Sequence, residues 1–282
     1  MKSFTLKDSI NFEGVGLHTG VKTNLTLNPA PMNSGIFFNR TDKSVIIPAQ
    51  WDKVISTKFS TNIASNEIEV KTVEHLLSAL AGLHISNCEI LIDNVEVPIL
   101  DGSSSVFVES ILKKGLKEQD SDQNILEIIK PVKFICDYGF AELKPNSPID
   151  EGLNINLQSS FDGKYEDQYI NIKNLNGNYI ESISKARTFG FFQEIEYLKS
   201  QNLIKGGSLD NAIVIKDKKP LNKDGLRYDN ELMRHKVLDV VGDLYLSGYP
   251  IIGTYEGFKT GHFITNNLLK ELFKSKENYK IH

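Results

Sequence analysis

Along the chain, apolar positions switch between the two-residue alternation of strands and the three-to-four-residue repeat of helices. The first part reads as short strands. TNLTLNPA and GIFFNR are rich in β-branched and aromatic residues and are punctuated by Gly, Pro and Asn. At TVEHLLSALAG (72–82) the period changes: Val73, Leu76, Leu77 and Leu80 fall at i, i+3, i+4 and i+7. Thr72 is the expected N-cap of this helix and Gly82 its expected C-terminal stop. NCEILIDNVEVPI returns to strand character, and SVFVESILKKG reads as a second short helix. The stretch KEQDSDQN (117–124) is polar and nearly devoid of apolar residues, and we read it as a linker. Strand patterns resume in ILEIIKPVKFICDYGFAELKP and in the two segments that follow. A helical period reappears around 181–204 and more strongly over 230–246. There Asp229 or Asn230 can cap, Glu231 suits the first turn, and Gly248 with Pro250 marks the end. ITNNLLKELFKSKE closes the chain as an amphipathic helix.

The second half thus repeats the order of the first, strands and then a helix bearing a histidine. It is a repeat of architecture, not of sequence. The expected fold class is α+β, in two domains, 1–120 and 125–282. With 282 residues, 40% hydrophobic and 24% charged, the chain is long enough for a large core and ordinary for a globular protein. A formal net charge of -4 argues against a nucleic-acid partner. No apolar run approaches the roughly 20 residues that span a bilayer, and the first residues lack an apolar signal core. Cys88 and Cys136 sit in strand-like surroundings without metal-ligand spacing, so we expect buried free thiols in a reducing compartment, the cytoplasm.

The candidate chemistry lies on the two best helices. In MRHKVLDVVGDLYLSG, His235, Asp239 and Asp243 recur every four residues, which stacks them on one helix face. His235 and Asp239 can share a metal ion, with Asp243 one turn further orienting another group. The same stripe is also what a solvent-facing polar surface looks like. His75 follows Glu74 in the first turn of the 72–82 helix, and neighbouring positions point about 100° apart. A metal held by His75 would leave Glu74 beside it, as a base acting on water requires. A glutamate there also suits the helix dipole without any chemistry. The protease motif HExxH is excluded, because position 79 is Ala. His75, His235 and Asp239 together make a two-imidazole, one-carboxylate set of the kind that holds catalytic zinc. One ligand comes from the first half and two from the second, which places the site at a domain interface. His262, in FKTGHFITNN, is either a turn residue or an acid or oxyanion donor held by a carboxylate. A helix start disfavours its cation and Asp243 favours it. Thr188 stands beside three phenylalanines, where a hydroxyl is usually a satisfied core group.

KTVEHLLSALAGL, PILDGSS, KARTFGFFQEIEYL, GGSLDNAIV, RHKVLDVVGDL and GHFITNN closely resemble the UDP-3-O-acyl-N-acetylglucosamine deacetylase family, and FEGVGLHTG extends the match toward the N-terminus. The resemblance implies two related sandwich-like domains, each with helices layered on a sheet and a small insert. It implies His75, His235 and Asp239 as ligands of zinc, with Fe2+ as a cellular alternative, and Glu74 as general base. By the same resemblance His262 is the charged partner held by Asp243, Thr188 donates to the oxyanion, and Lys236 meets the substrate's diphosphate. The insert at about 189–216 corresponds to the family's passage for the acyl chain, with Phe189, Ile195, Leu203, Gly207, Ser208 and Ala212 as lining candidates. Phe161 falls where the family contacts uridine. The implied reaction is hydrolysis of the 2-acetamido group of UDP-3-O-acyl-GlcNAc by a cytoplasmic monomer of lipid A biosynthesis. The final proton for the amine comes from either Glu74 or His262. The competing reading is a sugar-nucleotide or acyl-chain binding protein without catalysis.

Overall fold

The computed structural model describes residues 2–282, the side chain of Asn176 excepted. The fold is α+β. A five-stranded sheet runs in the order Ile10–Val15, Lys22–Pro29, Cys88–Ile92, Ile36–Arg40, Val45–Pro48, antiparallel except for the parallel central pair 88–92 and 36–40. The alternation seen in the sequence is its cause: along Lys22–Pro29, Thr23, Leu25 and Leu27 point into the core and their neighbours toward solvent. Helix α1 (Glu74–Gly82) precedes the central strand Cys88–Ile92 of this sheet, and α2 (Ser105–Lys114) follows it. The Phe107 ring of α2 packs edge-on against Phe12 of the sheet, centroids 4.9 Å apart.

In the second half, Ile251–Phe258 is the hub of a seven-stranded mixed sheet. It pairs antiparallel with Gly139–Lys144 and parallel with Leu126–Ile128 and Leu153–Ser159. Helices α3 (Leu175–Ser182), α4 (Ile195–Ser200), α5 (Glu231–Tyr245) and α6 (His262–Phe273) belong to this half. Each half also carries a three-stranded unit, Val54–Ser56 with Asn62–Ser65 and Ile68–Val70 in the first, and Phe189–Phe191 with Ile213–Lys216 and Lys219–Pro220 in the second. No described sheet mixes strands from before residue 122 with strands from after 126.

The halves meet where α1 packs on α5. The approach is close because position 242 is glycine: a Cβ there would overlap the Glu74 carbonyl. Gly82 has a similar reason, since its Cβ would run into the Tyr179 ring of α3. Gly82 is therefore the last residue inside α1, with Leu83 as its C-cap, rather than a residue beyond the helix.

Four expectations change. Thr72 does not cap α1. It adopts φ 57°, and its hydroxyl donates to Glu96 Oε1 at 2.9 Å, so Val73 precedes the helix instead. The polar stretch 117–124 is not an open linker: Leu116–Asp122 is a strand paired antiparallel with Lys2–Leu6. The helical pattern at 181–204 is broken, because Phe189–Phe191 pairs in parallel with Ile213–Lys216, leaving the end of a helix at Ser182, a 3-10 turn at Phe192–Glu194 and the short helix Ile195–Ser200. Cys136 is half-buried, whereas Cys88 is fully buried; neither is in a disulfide.

Candidate active site

The α1–α5 contact brings Glu74 and His75 of the first half against His235, Asp239 and Asp243 of the second. The four-residue stripe of α5 therefore faces a partner helix, not solvent. His235 and Asp243 are buried and Asp239 is nearly so, with 18% of its side chain exposed. Metal-ligating atoms of His75, His235 and Asp239 all lie within 4.8 Å of one another. Asp239 Oδ1 is 3.4 Å from His235 Nε2 and 3.7 Å from His75 Nε2. The two imidazole rings stand nearly perpendicular, 4.9 Å apart.

These groups fit a divalent cation better than they fit each other. Asp239 Oδ1 is buried with no hydrogen-bond partner, a costly state for a carboxylate oxygen unless a cation meets it. His235 donates from Nδ1 to the Ala186 carbonyl at 3.1 Å, which leaves Nε2 with its lone pair toward the cluster. Burial holds both rings neutral, His75 pushed down to about 3 and His235 to about 4. Neutral imidazole is the ligating form. Burial also raises Asp239, and a bound cation would reverse that.

A second cluster adjoins the first. His262, at the start of α6, donates from Nδ1 to Asp243 Oδ2 at 2.7 Å, and its Nε2 lies 3.7 Å from Glu74 Oε1. Burial works against its charge, but Asp243 and Glu74 outweigh burial and raise it to about 10. Glu74 is buried, which pushes its carboxyl up to about 8 against the pull of His262. Each carboxylate has one further partner: Thr61 donates from its backbone N–H to Glu74 Oε2 at 3.0 Å and from its hydroxyl to Asp243 Oδ1 at 2.6 Å. Thr61 carries no sequence signal, because its contacts lie 13 and 182 residues away and follow no helix or strand period.

The remaining candidates are spread over the rim. Thr188 lies two residues from the carbonyl that holds His235. Its own backbone is clamped, N–H to Gly102 O at 2.7 Å and carbonyl to Ile213 N–H at 2.8 Å. It is half-buried, not a core hydroxyl. The Phe189 ring stands 6.1 Å from that of His235. Lys236 Nζ donates to the Thr260 carbonyl at 3.1 Å, two residues before His262. Phe161 is buried among Phe189, Phe191 and Tyr165 rather than presented as an open ring. In the insert, Ile195, Leu203 and Ala212 are half-buried and Gly207 and Ser208 are exposed. The insert is pinned to the first half: Lys205 and Gly206 donate to the carbonyls of His18 and Leu17, both at 3.1 Å. That turn is in turn held by buried Glu96, which accepts from the backbone of His18 and Thr19.

The family model for UDP-3-O-acyl N-acetylglycosamine deacetylase matches residues 3–274. This chain belongs to that family. It is 44% identical to the UDP-3-O-acyl-N-acetylglucosamine deacetylase of Teredinibacter turnerae over 289 residues, covering 100% of this chain and 93% of the relative. The proteins of that name from a Psychrobacter species and from Hahella chejuensis are each 42% identical, over 100% of this chain and 95% and 93% of their own lengths. Family members of this name are hydrolases acting on an amide bond, and this chain is an enzyme of that class. Among the described residues no helix is long and apolar enough to cross a membrane.

Proposed function

We propose that this protein hydrolyses the 2-acetamido group of UDP-3-O-acyl-N-acetylglucosamine, releasing acetate and UDP-3-O-acyl-glucosamine for lipid A biosynthesis. The reading rests on one arrangement above all. A buried His75–His235–Asp239 cluster with an unpartnered carboxylate oxygen abuts an independent Glu74–His262–Asp243 chain. The second cluster favours catalysis over simple binding, because a charged imidazole held between two carboxylates beside a ligating set is the arrangement of a proton-transfer site. The two α+β units, 1–120 and 125–282, would share the substrate site, α1 contributing from one and α5 from the other.

His75, His235 and Asp239 would hold the metal, zinc or, in the cell, Fe2+. When bound, the ion supplies Lewis acidity to the amide carbonyl and to water. Against the burial that raises it, the charged His262 and a bound cation would favour the ionised Glu74. That carboxylate takes the proton of the attacking water through Oε1, the oxygen not bonded to Thr61. His262 enters as the cation, so its Nε2–H donates to the developing oxyanion, alongside the Thr188 hydroxyl. We assign the final proton for the leaving amine to His262, since Asp243 and Glu74 favour its charged form and collapse of the intermediate returns it to neutrality. Lys236 contacts the diphosphate and Phe161 borders the uridine. Phe189, Ile195, Leu203, Gly207, Ser208 and Ala212 line the acyl passage. The enzyme works as a cytoplasmic monomer without a nucleic-acid partner.

Acetate release from UDP-3-O-acyl-GlcNAc by protein of measured metal content tests this. About one metal per chain with stoichiometric acetate is expected. Metal-loaded protein that binds the sugar nucleotide and releases no acetate would establish the binding-protein reading instead.

A further inference from the structure

Thr61 is fully buried at the entrance to the strand Asn62–Ser65 of the first half's three-stranded unit. It spends each of its two donors on a different carboxylate of the second cluster. The backbone N–H meets Glu74 Oε2 at 3.0 Å, and the hydroxyl meets Asp243 Oδ1 at 2.6 Å. Its carbonyl is occupied too, accepting from Val73 N–H at 3.2 Å immediately before α1. One residue therefore touches the first turn of α1 and the last turn of α5 at once, the latter across a sequence separation of 182.

The consequence is geometric. A carboxylate holding one donor rotates about its Cβ–Cγ bond, and a ring bonded to it turns with it. Asp243 holds two donors, His262 Nδ1–H on Oδ2 and the Thr61 hydroxyl on Oδ1, so its plane is fixed from both sides. That fixes the His262 ring, whose Nε2 then stands 3.7 Å from Glu74 Oε1. Glu74 is treated alike: with Oε2 bound to Thr61, only Oε1 is left to take a proton. The segment before Thr61 is itself unusual. Phe59 adopts φ 64°, a conformation that costs a bulky L-residue energy, and Ser60 donates to Asn62 Oδ1 at 3.0 Å.

We propose that Thr61 is a positioning residue for the deacetylation: its hydroxyl acts through Asp243 to aim the His262 ring, and its amide selects the working oxygen of Glu74. This rests on the roles given to Glu74 and His262 above. It assigns Thr61 no contact with substrate or metal.

The test is a set of substitutions read as acetate-release kinetics. Thr61→Val keeps the shape and the amide but removes the hydroxyl; kcat is expected to fall about 10–100-fold with KM within about twofold, because misorientation weakens the reacting geometry and leaves binding alone. Thr61→Ser restores the hydroxyl and should return kcat to within about threefold of wild type. On an Asp243→Asn background the Val substitution should cost less than about twofold, since its route is already cut. Should Thr61→Val fail to fold, Thr61→Ala carries the same arm. An unchanged kcat in the variant lacking the hydroxyl, a full-sized loss on the Asp243→Asn background, or no rescue by serine would each overturn the proposal. The 15N resonances of the His262 ring give a readout that needs no turnover. If wild type releases no acetate, the assigned reaction fails. A His262 ring signal that moves in Thr61→Val and returns in Thr61→Ser would still uphold the positioning role, and an unmoved signal would sink it.

Discussion

Three histidines stand at the meeting of α1, α5 and α6, two buried and one nearly so, yet they differ in charge. His75 and His235 are pushed down to about 3 and about 4, whereas His262, whose side chain keeps 14% exposure, is raised to about 10. Desolvation opposes the cation in all three. What separates them is a carboxylate within hydrogen-bond reach: Asp243 Oδ2 lies 2.7 Å from His262 Nδ1, while the nearest Asp239 oxygen stands 3.4 Å and 3.7 Å from the other two rings, outside bonding distance. Burial makes neutral rings that can ligate; burial with a close, fixed carboxylate makes a proton donor. The α5 stripe feeds both outcomes, Asp239 into the first cluster and Asp243 into the second.

The comparison breaks most sharply at Glu74, the carboxylate beside both clusters. Glu74→Gln should keep about one metal per chain and lose roughly 10²–10⁴-fold in turnover. Activity near wild type in that variant would remove Glu74 as the base. His235→Ala should instead lose the metal, with turnover following the residual metal content; retained stoichiometric metal would dissolve the first cluster. Asp243→Asn separates His262 from its charge partner. The ring should lose its raised pKa, and kcat should drop about 10–100-fold with metal content unchanged.

Smaller effects sharpen the same contrast. Gly242→Ala places a Cβ against the Glu74 carbonyl and should destabilise by about 1–3 kcal/mol, read by denaturant unfolding. The pH dependence of stability in metal-free protein carries opposite signs for the two kinds of histidine. His75 and His235 have folded pKa values below the ordinary 6.5, so the unfolded chain takes up protons that the folded one refuses. Their contribution is complete above 6.5 and is lost as pH falls toward 4. His262 has a raised folded pKa, so its contribution is complete below 6.5 and is lost as pH rises through about 10. Between about pH 6.5 and 5 the two rings work against Glu74, raised to about 8, and Asp239, also raised, which stabilise on acidification. Removing one ring in His75→Asn should therefore shift the melting-temperature profile toward stabilisation on acidification.

The period of α1 and α5 was legible because helix geometry is local: spacing alone puts His235, Asp239 and Asp243 on one face. That the face is buried was not legible from spacing, since a solvated stripe has the same pattern. The family's motifs identified the partner helix, and Gly242 supplies the physical reason the two backbones meet. Pairings made at long range escaped the sequence. Leu116–Asp122 is polar enough to read as a linker, yet its backbone pairs with Lys2–Leu6, and a two-stranded ribbon needs little apolar surface when one face is wet. Thr72 looked like a cap because its position was right, but buried Glu96 claims its hydroxyl. Thr61 lay in KFSTNIAS with nothing to mark it, because its meaning comes wholly from two carboxylates distant in sequence.

The split among the three rings is most directly read by 15N NMR of imidazole nitrogens in metal-free protein at about pH 7. The account predicts two rings in a neutral, singly protonated form, assigned through His75→Asn and His235→Asn, and one doubly protonated ring that vanishes in His262→Asn. A neutral His262, or a charged ring at either ligand position, would contradict it.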